Sequence, residues 1–293
     1  MSLNRRNFLA GAAGLAAAGL RARAAVKPRS GCQTNAWNLD PARFDLLLTA
    51  LKEIKELEFQ GFETNIRFVQ PQLNNLAKAK AQIEATGLVF LGAHTDIPAY
   101  WKLGNEKAAA QVTGLCADAK KFDAKAIIFS HIGSLSKTGD FTEQQLEQKC
   151  RFLDLAGQRC ADAGIVLAYH NHEPEFEKNA REQFGLMRHT NSKTVMMMYD
   201  IGHAWRAYPD AISFFEQYHT RVYGLHVRDY HNHDISVPLG QGEFPLRKLE
   251  AAIQKTGWHG WLIDEEERPD MSDKPGMKVT GPSRKTMREI FGV

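Results

Sequence analysis

Short apolar runs alternate with amphipathic stretches along most of this chain, at a spacing of roughly 30 residues per pair. Residues 31–35 read as a first strand and 42–57 as its helix. The second unit pairs a strand at 61–65 with a helix at 72–85, and the third a strand at 88–94 with a helix at 105–121. A fourth strand at 126–130 leads to a helix at 142–163, which opens on Thr142 and Gln145, a capping-box pair. Strands at 165–170, 194–200, 222–226 and 261–265 follow, with helices at 180–188, 209–219, 246–256 and 283–291. Runs such as Ala-Ile-Ile-Phe and Val-Met-Met-Met are apolar at every position, as in strands covered on both faces. Eight strand–helix units imply parallel strands joined by crossover helices. The count of eight, with no G-x-G-x-x-G turn after the first strand, favours an α/β fold of the (β/α)8 TIM barrel type over an open doubly wound sheet.

The first 25 residues break this pattern. Arg5-Arg6 precede Asn7-Phe8-Leu9, a mild Ala/Gly-rich run follows to Leu20, and Ala22-Arg23-Ala24 offers small residues where a signal peptidase reads. A charged pair of arginines ahead of Phe-Leu resembles a twin-arginine (Tat) export signal. The expected organisation is an export signal at 1–25 and one barrel domain at 26–293, placing the mature protein in the periplasm or otherwise outside the cytosol. The apolar run is too short for a confident membrane span, so no stable membrane insertion is expected once the signal is removed.

Removing the leader changes the charge. It carries Arg5, Arg6, Arg21 and Arg23 and no acid, so the formal +3 of the 293-residue chain becomes −1. Nucleic-acid binding thereby loses its electrostatic support. At 43% hydrophobic and 24% charged residues, the remainder can bury a sizeable core. Four scattered cysteines, Cys32, Cys116, Cys150 and Cys160, lack metal-binding spacing and read as buried small side chains.

Candidate chemistry collects where strands end. Glu63 closes the second strand, His94 and Asp96 the third, and His131 the fourth. His170, Asn171, His172 and Glu175 follow the fifth; Asp200 and His203 the sixth; His226 and Arg228 the seventh; Glu265 the eighth. In a barrel these ends converge on one face, and Glu, Asp and His together suit one divalent ion such as Mn²⁺, Co²⁺, Mg²⁺ or Zn²⁺.

The stretches Tyr169-His-Asn-His-Glu-Pro-Glu-Phe176, Tyr199-Asp-Ile-Gly-His-Ala204, Gly224-Leu-His-Val-Arg-Asp229, Gly240-Gln-Gly-Glu243 and Gly257-Trp-His-Gly-Trp-Leu-Ile-Asp-Glu265 resemble the xylose isomerase-like TIM barrel superfamily. Within it they are most similar to the sugar phosphate isomerase/epimerase branch (AP endonuclease 2-type), which also holds tagatose epimerases, inosose dehydratases and endonuclease IV. The resemblance implies one metal held by Glu, Asp, His and Glu from strands five to eight. Asp200, His226 and Glu265 match three of these positions. The strand-five glutamate, three residues before Asn171, is replaced by Ala168, so the ligand must come from elsewhere: Glu175 is the expected one, with His172 and Glu173 as rivals.

The implied activity is a metal-dependent sugar isomerase or epimerase, with Glu175 and Glu265 as the catalytic carboxylates that take and return a proton beside a carbonyl. Glu63, His94, His172, His203 and Arg228 are expected to bind the sugar. Trp37, Trp101 and Trp205 are candidate stacking surfaces or core residues. The same proton abstraction followed by loss of a β-substituent makes a lyase or dehydratase acting on a keto-sugar or keto-glycoside the alternative. Loss of the strand-five ligand also leaves a non-enzymatic sugar-binding protein as a reading. The expected partner is a small-molecule sugar, and the fold leaves room for a homo-oligomer.

Overall fold

A computed structural model describes residues 27–97, 99–131, 133–267 and 276–293. The expected export leader and its twin arginines lie outside the described residues. Eight parallel strands close into a barrel in the spatial order β1-β10-β7-β6-β5-β4-β3-β2. They are β1 (Arg29–Gln33), β2 (Gly61–Asn65), β3 (Val89–Asp96), β4 (Ala126–His131), β5 (Val166–His170), β6 (Val195–Asp200), β7 (Val222–Val227) and β10 (Trp261–Asp264). Between β7 and β10 a small antiparallel hairpin, β8 (Asp229–His231) and β9 (Ile235–Val237), stands on the rim. The sequence pattern gave no sign of it, because three-residue strands carry no readable period.

Helices cover the barrel. They include α1 (Phe44–Glu56), α2 (Leu76–Glu84), α3 (Tyr100–Leu103), α4 (Asn105–Lys121) and α5 (Glu143–Asp162). The chain continues through α6 (Glu177–His189), α7 (Ile201–Ala207), α8 (Ala211–Tyr218), α9 (Leu246–Thr256) and α10 (Met277–Phe291). Three elements fall where the period placed them, β2, α4 and α9. The first strand sits two residues earlier than expected, because Thr34–Ala36 tightens into a 3-10 turn. The last helix begins at Met277, six residues before the expected start at 283, and carries Pro282 inside. Thr142 caps α5 as expected: its hydroxyl accepts the Gln145 N–H at 3.2 Å, while the Gln145 side chain accepts the Thr142 N–H at 2.8 Å. Among the described residues no helix is long and apolar enough to cross a membrane. All four cysteines are free and buried.

Two apolar layers result. The larger lies between strands and helices. The smaller plugs the barrel with Leu91, Ala126, Ile128, Ala168, Met198, Trp261 and Ile263. Side chains two apart on a strand share a face, so one step beyond this plug brings the next inward residue to the open end. Ile128 is thus followed by Ser130, Ala168 by His170, Met198 by Asp200 and Ile263 by Glu265. On β3 the step is three, because the pairing with β2 slips between Phe62 and Glu63. That irregularity turns His94 inward. It also presses Gly92 against the plug, where a Cβ would lie 2.2 Å from Ile128 Cδ1 and force that side chain to move.

Candidate active site and metal centre

Polar side chains from consecutive strands meet above the plug. One donor atom from each of His170, Asp200, His226 and Glu265 can be chosen so that all lie within 4.8 Å of one another. Every one of these side chains is buried. Glu265 Oε2 lies 2.6 Å from His226 Nδ1 and 3.6 Å from His170 Nε2, and Asp200 Oδ2 is 3.8 Å from His170 Nε2. Yet both ring nitrogens of His170, Nδ1 of His226, Oδ2 of Asp200 and Oε2 of Glu265 are buried without an aligned hydrogen-bond partner. Buried polar atoms left this way are costly unless something else satisfies them. A divalent cation would satisfy one nitrogen of His170 together with the other three atoms at once, and two carboxylates with two imidazoles form a reasonable donor set for one. The residues therefore fit a metal.

Neighbouring groups hold this set in place. The Asp200 Oδ1 caps α7 by accepting the His203 N–H at 2.7 Å, which leaves Oδ2 for the centre. Asn171 and Asp200 exchange side-chain-to-backbone hydrogen bonds at 2.9 Å in both directions, fastening the end of β5 to β6. Glu63 lies beneath and accepts the Nε2–H of His226 at 2.7 Å and of His94 at 2.8 Å, the partnership that fixes a ligating imidazole. Arg228 reaches across the top, with Nε 2.9 Å from Asp200 Oδ2, Nη2 2.7 Å from Glu265 Oε2 and Nη1 donating to Glu267 at 3.0 Å.

The charges are strongly coupled. Burial alone would raise Glu265, but His226 and Arg228 hold it well below the usual carboxylate range. Burial raises Asp200 despite the pull of Arg228. Burial keeps His170 below its ordinary value, so the ring is neutral and able to coordinate. His226 resists burial because Glu265 and Glu63 flank it, and it is pushed up to about 10.

A cavity of about 320 Å³ opens above, lined by His94, His172, His203, Arg228 and Glu265 together with Asn35 and Ser130. Four of the expected sugar-binding residues therefore face one space. The fifth, Glu63, does not line it; the residue is fully buried as the support of His94 and His226. Trp37 lines the rim but is tied into the core by a 2.7 Å hydrogen bond to Glu53. Trp205 packs against His233 and Phe244, so it too belongs to the framework.

Glu175 is not among the converging donors; His170 stands in the fourth place instead. Glu175 turns outward past the strand, where its Oε2 accepts the His172 N–H at 3.1 Å. It sits beside a fully buried ion pair, Lys149–Glu182 at 2.6 Å. Breaking such a pair by removing one partner costs about 3–5 kcal/mol. Glu182 also accepts the backbone N–H groups of Leu135 and Ser136, so the pair pins the loop after β4. Strand parity turns Ala168 and His170 to the same inward face, whereas Glu175 lies beyond the strand, where parity no longer applies.

Burial pushes Glu175 up to about 7, with Lys149 opposing and Glu182 reinforcing the rise. A carboxyl whose folded pKa is raised binds its proton more tightly in the fold than in the unfolded chain. It therefore burdens stability above its folded value and ceases to do so below the unfolded one. Glu175→Gln, which keeps the acceptor for His172, is expected to match the wild type near pH 4.5 and to exceed it by on the order of 3 kcal/mol above pH 7. Chemical denaturation of both proteins across that range measures the difference.

The model of the xylose isomerase-like TIM barrel family matches residues 51–290. An inosose dehydratase from Lacticaseibacillus casei is 25% identical over 154 residues, covering 46% of this chain and 51% of that protein. The chain thus spans about half the length of this relative. Among solved structures, an L-ribulose 3-epimerase superposes with a TM-score of 0.74 at 14% identity, covering 90% of this chain and 95% of the other. The IolI protein with a bound zinc atom superposes with a TM-score of 0.73 at 12% identity, covering 90% and 98%. At these identities the two structures share the fold.

Proposed function

Because the chain belongs to the xylose isomerase-like TIM barrel family, we propose that it is a metal-dependent enzyme that removes a proton beside a carbonyl of a sugar and expels a β-substituent, a dehydratase-type lyase. The observation that carries the metal site is the buried, unsatisfied convergence of His170, Asp200, His226 and Glu265. A divalent ion there supplies Lewis-acid polarisation of the carbonyl, which acidifies the neighbouring C–H.

The protein's own groups do the rest. Glu265, held ionised by His226 and Arg228, borders the cavity and takes the proton. Arg228 and His203 hold the sugar oxygens, and His94 and His172 line the walls. The apolar plug closes the floor against water.

Elimination is preferred to epimerisation on one count. Returning a proton to the opposite face requires a second base across from Glu265, and strand five offers Ala168 and His170 there. Glu175, which keeps its proton up to about pH 7, borders the adjoining cavity and can serve as the acid that protonates a departing oxygen. Isomerisation with one base shares the first step and is the second reading. The inosose dehydratase relative supports the first.

Incubation of keto-sugars and keto-glycosides with the Mn²⁺-loaded enzyme in deuterated buffer separates them. Elimination gives a product lighter by water or an alcohol. An isomer of unchanged formula would overturn that reading in favour of the second.

A further inference from the structure

A second cavity, of about 460 Å³, adjoins the first: His172 and His203 line both. Its remaining walls come from Trp101, the segment carrying Gly133, Ser134 and Lys137, and the turn at 173–175. Beyond Glu175 and the two shared histidines, the proton-transfer reading above uses none of this space. Trp101 is the feature that distinguishes it. The side chain sits on the short helix α3 and is 52% exposed, whereas the surrounding large aromatics are buried. Its ring meets Tyr100 edge-on at 5.1 Å between centroids, so it is held in position and yet open to solvent.

The walls opposite are tied in place by polar contacts, while most of the surface they expose is apolar. The Lys149–Glu182 pair pins the loop on one side, with Lys149 donating to the Gly133 carbonyl at 2.9 Å. On the other side Glu173 is tied by a 2.7 Å ion pair to Arg206. A fixed, exposed indole facing fixed hydrogen-bonding groups suits a pyranose ring, which presents apolar C–H faces and a belt of hydroxyls.

We propose that this cavity is a second sugar subsite, with Trp101 as its stacking platform, and that the substrate is a glycoside whose leaving unit occupies it. The first cavity takes the ring bearing the carbonyl, and the bond between the units lies at the junction lined by His172 and His203. The assignment of the departing unit rests on the proposed elimination; the subsite itself does not.

Binding of non-reacting sugars tests it. The probes are the methyl glycopyranosides of glucose, galactose and mannose, and the disaccharides cellobiose, maltose and lactose, titrated calorimetrically into the Mn²⁺-loaded protein. At least one disaccharide should bind about tenfold tighter than the matching methyl glycoside. Trp101→Ala should abolish that preference without changing methyl glycoside affinity, and Trp101→Phe should restore most of it. The exposed position of Trp101 makes both variants compatible with folding, which circular dichroism verifies. No disaccharide preference, or a Trp101→Ala effect equal on both ligand classes, would overturn the subsite. A preference that persists in an enzyme that turns over no keto-sugar would leave the subsite standing and sink the proposed reaction. Turnover of keto-monosaccharides without the preference would do the reverse.

Discussion

Asp200→Asn is expected to lose its bound metal and to lower turnover by on the order of a thousand-fold or more, while the barrel still folds. The asymmetry comes from the two oxygens of Asp200. Oδ1 caps α7 through the His203 N–H, and an asparagine oxygen can do the same. The reciprocal bonds with Asn171 use the Asp200 backbone and survive the change. Oδ2 is the atom aimed at the centre, 3.8 Å from His170 and 2.9 Å from Arg228, and an amide nitrogen there offers a donor where an acceptor is needed. A thermal melt within a few degrees of wild type, together with an empty site and lost turnover, is the expected combination. Collapse of the fold would show that Asp200 is chiefly structural.

Glu265→Gln should be equally severe in turnover and more informative about chemistry. Glu265 is the carboxylate that touches His226, His170 and Arg228 while also lining the cavity. Its amide keeps the size and removes the base. The rate of hydrogen exchange between the substrate's activated carbon and deuterated solvent should fall on the order of a thousand-fold, in step with turnover. If exchange persisted while product formation stopped, the base would be another group.

Much of this site is readable in the sequence because strand ends in a barrel are fixed in space by the strand count alone. Asp200, His226 and Glu265 each close an apolar run, and each lies with its neighbours where the strand pattern put it. His94 and His203 likewise reach the cavity. The fourth member of the cluster, His170, differs from the expected Glu175 for a physical reason. On β5 the alternation that buries Ala168 in the plug also turns His170 inward, whereas Glu175 lies past the strand, where a 3-10 turn carries it toward Lys149 and Glu182. Register, not chemical preference, decides which side chain faces the axis.

Other features could not be read at all. Glu63 looks like a mouth residue until the burial of its carboxylate under His94 and His226 is seen. The Gly240-Gln-Gly run has no local meaning. In the fold, Asp229 accepts the N–H groups of Tyr230, Gly240, Gly242 and Phe244, and a Cβ on Gly242 would lie 2.3 Å from its Oδ1. That cage joins two motifs ten or more residues apart, a contact that periodicity does not encode.

The most direct test of the metal centre is metal content, measured by elemental analysis of the wild type, His170→Ala and Glu175→Gln after loading with Mn²⁺ and desalting. About one ion per chain is expected in the wild type and in Glu175→Gln, and less than about a tenth of that in His170→Ala, as when one of four ligands is lost. Full occupancy in His170→Ala with loss in Glu175→Gln would contradict this assignment, and would place the ion outside the cluster of His170, Asp200, His226 and Glu265.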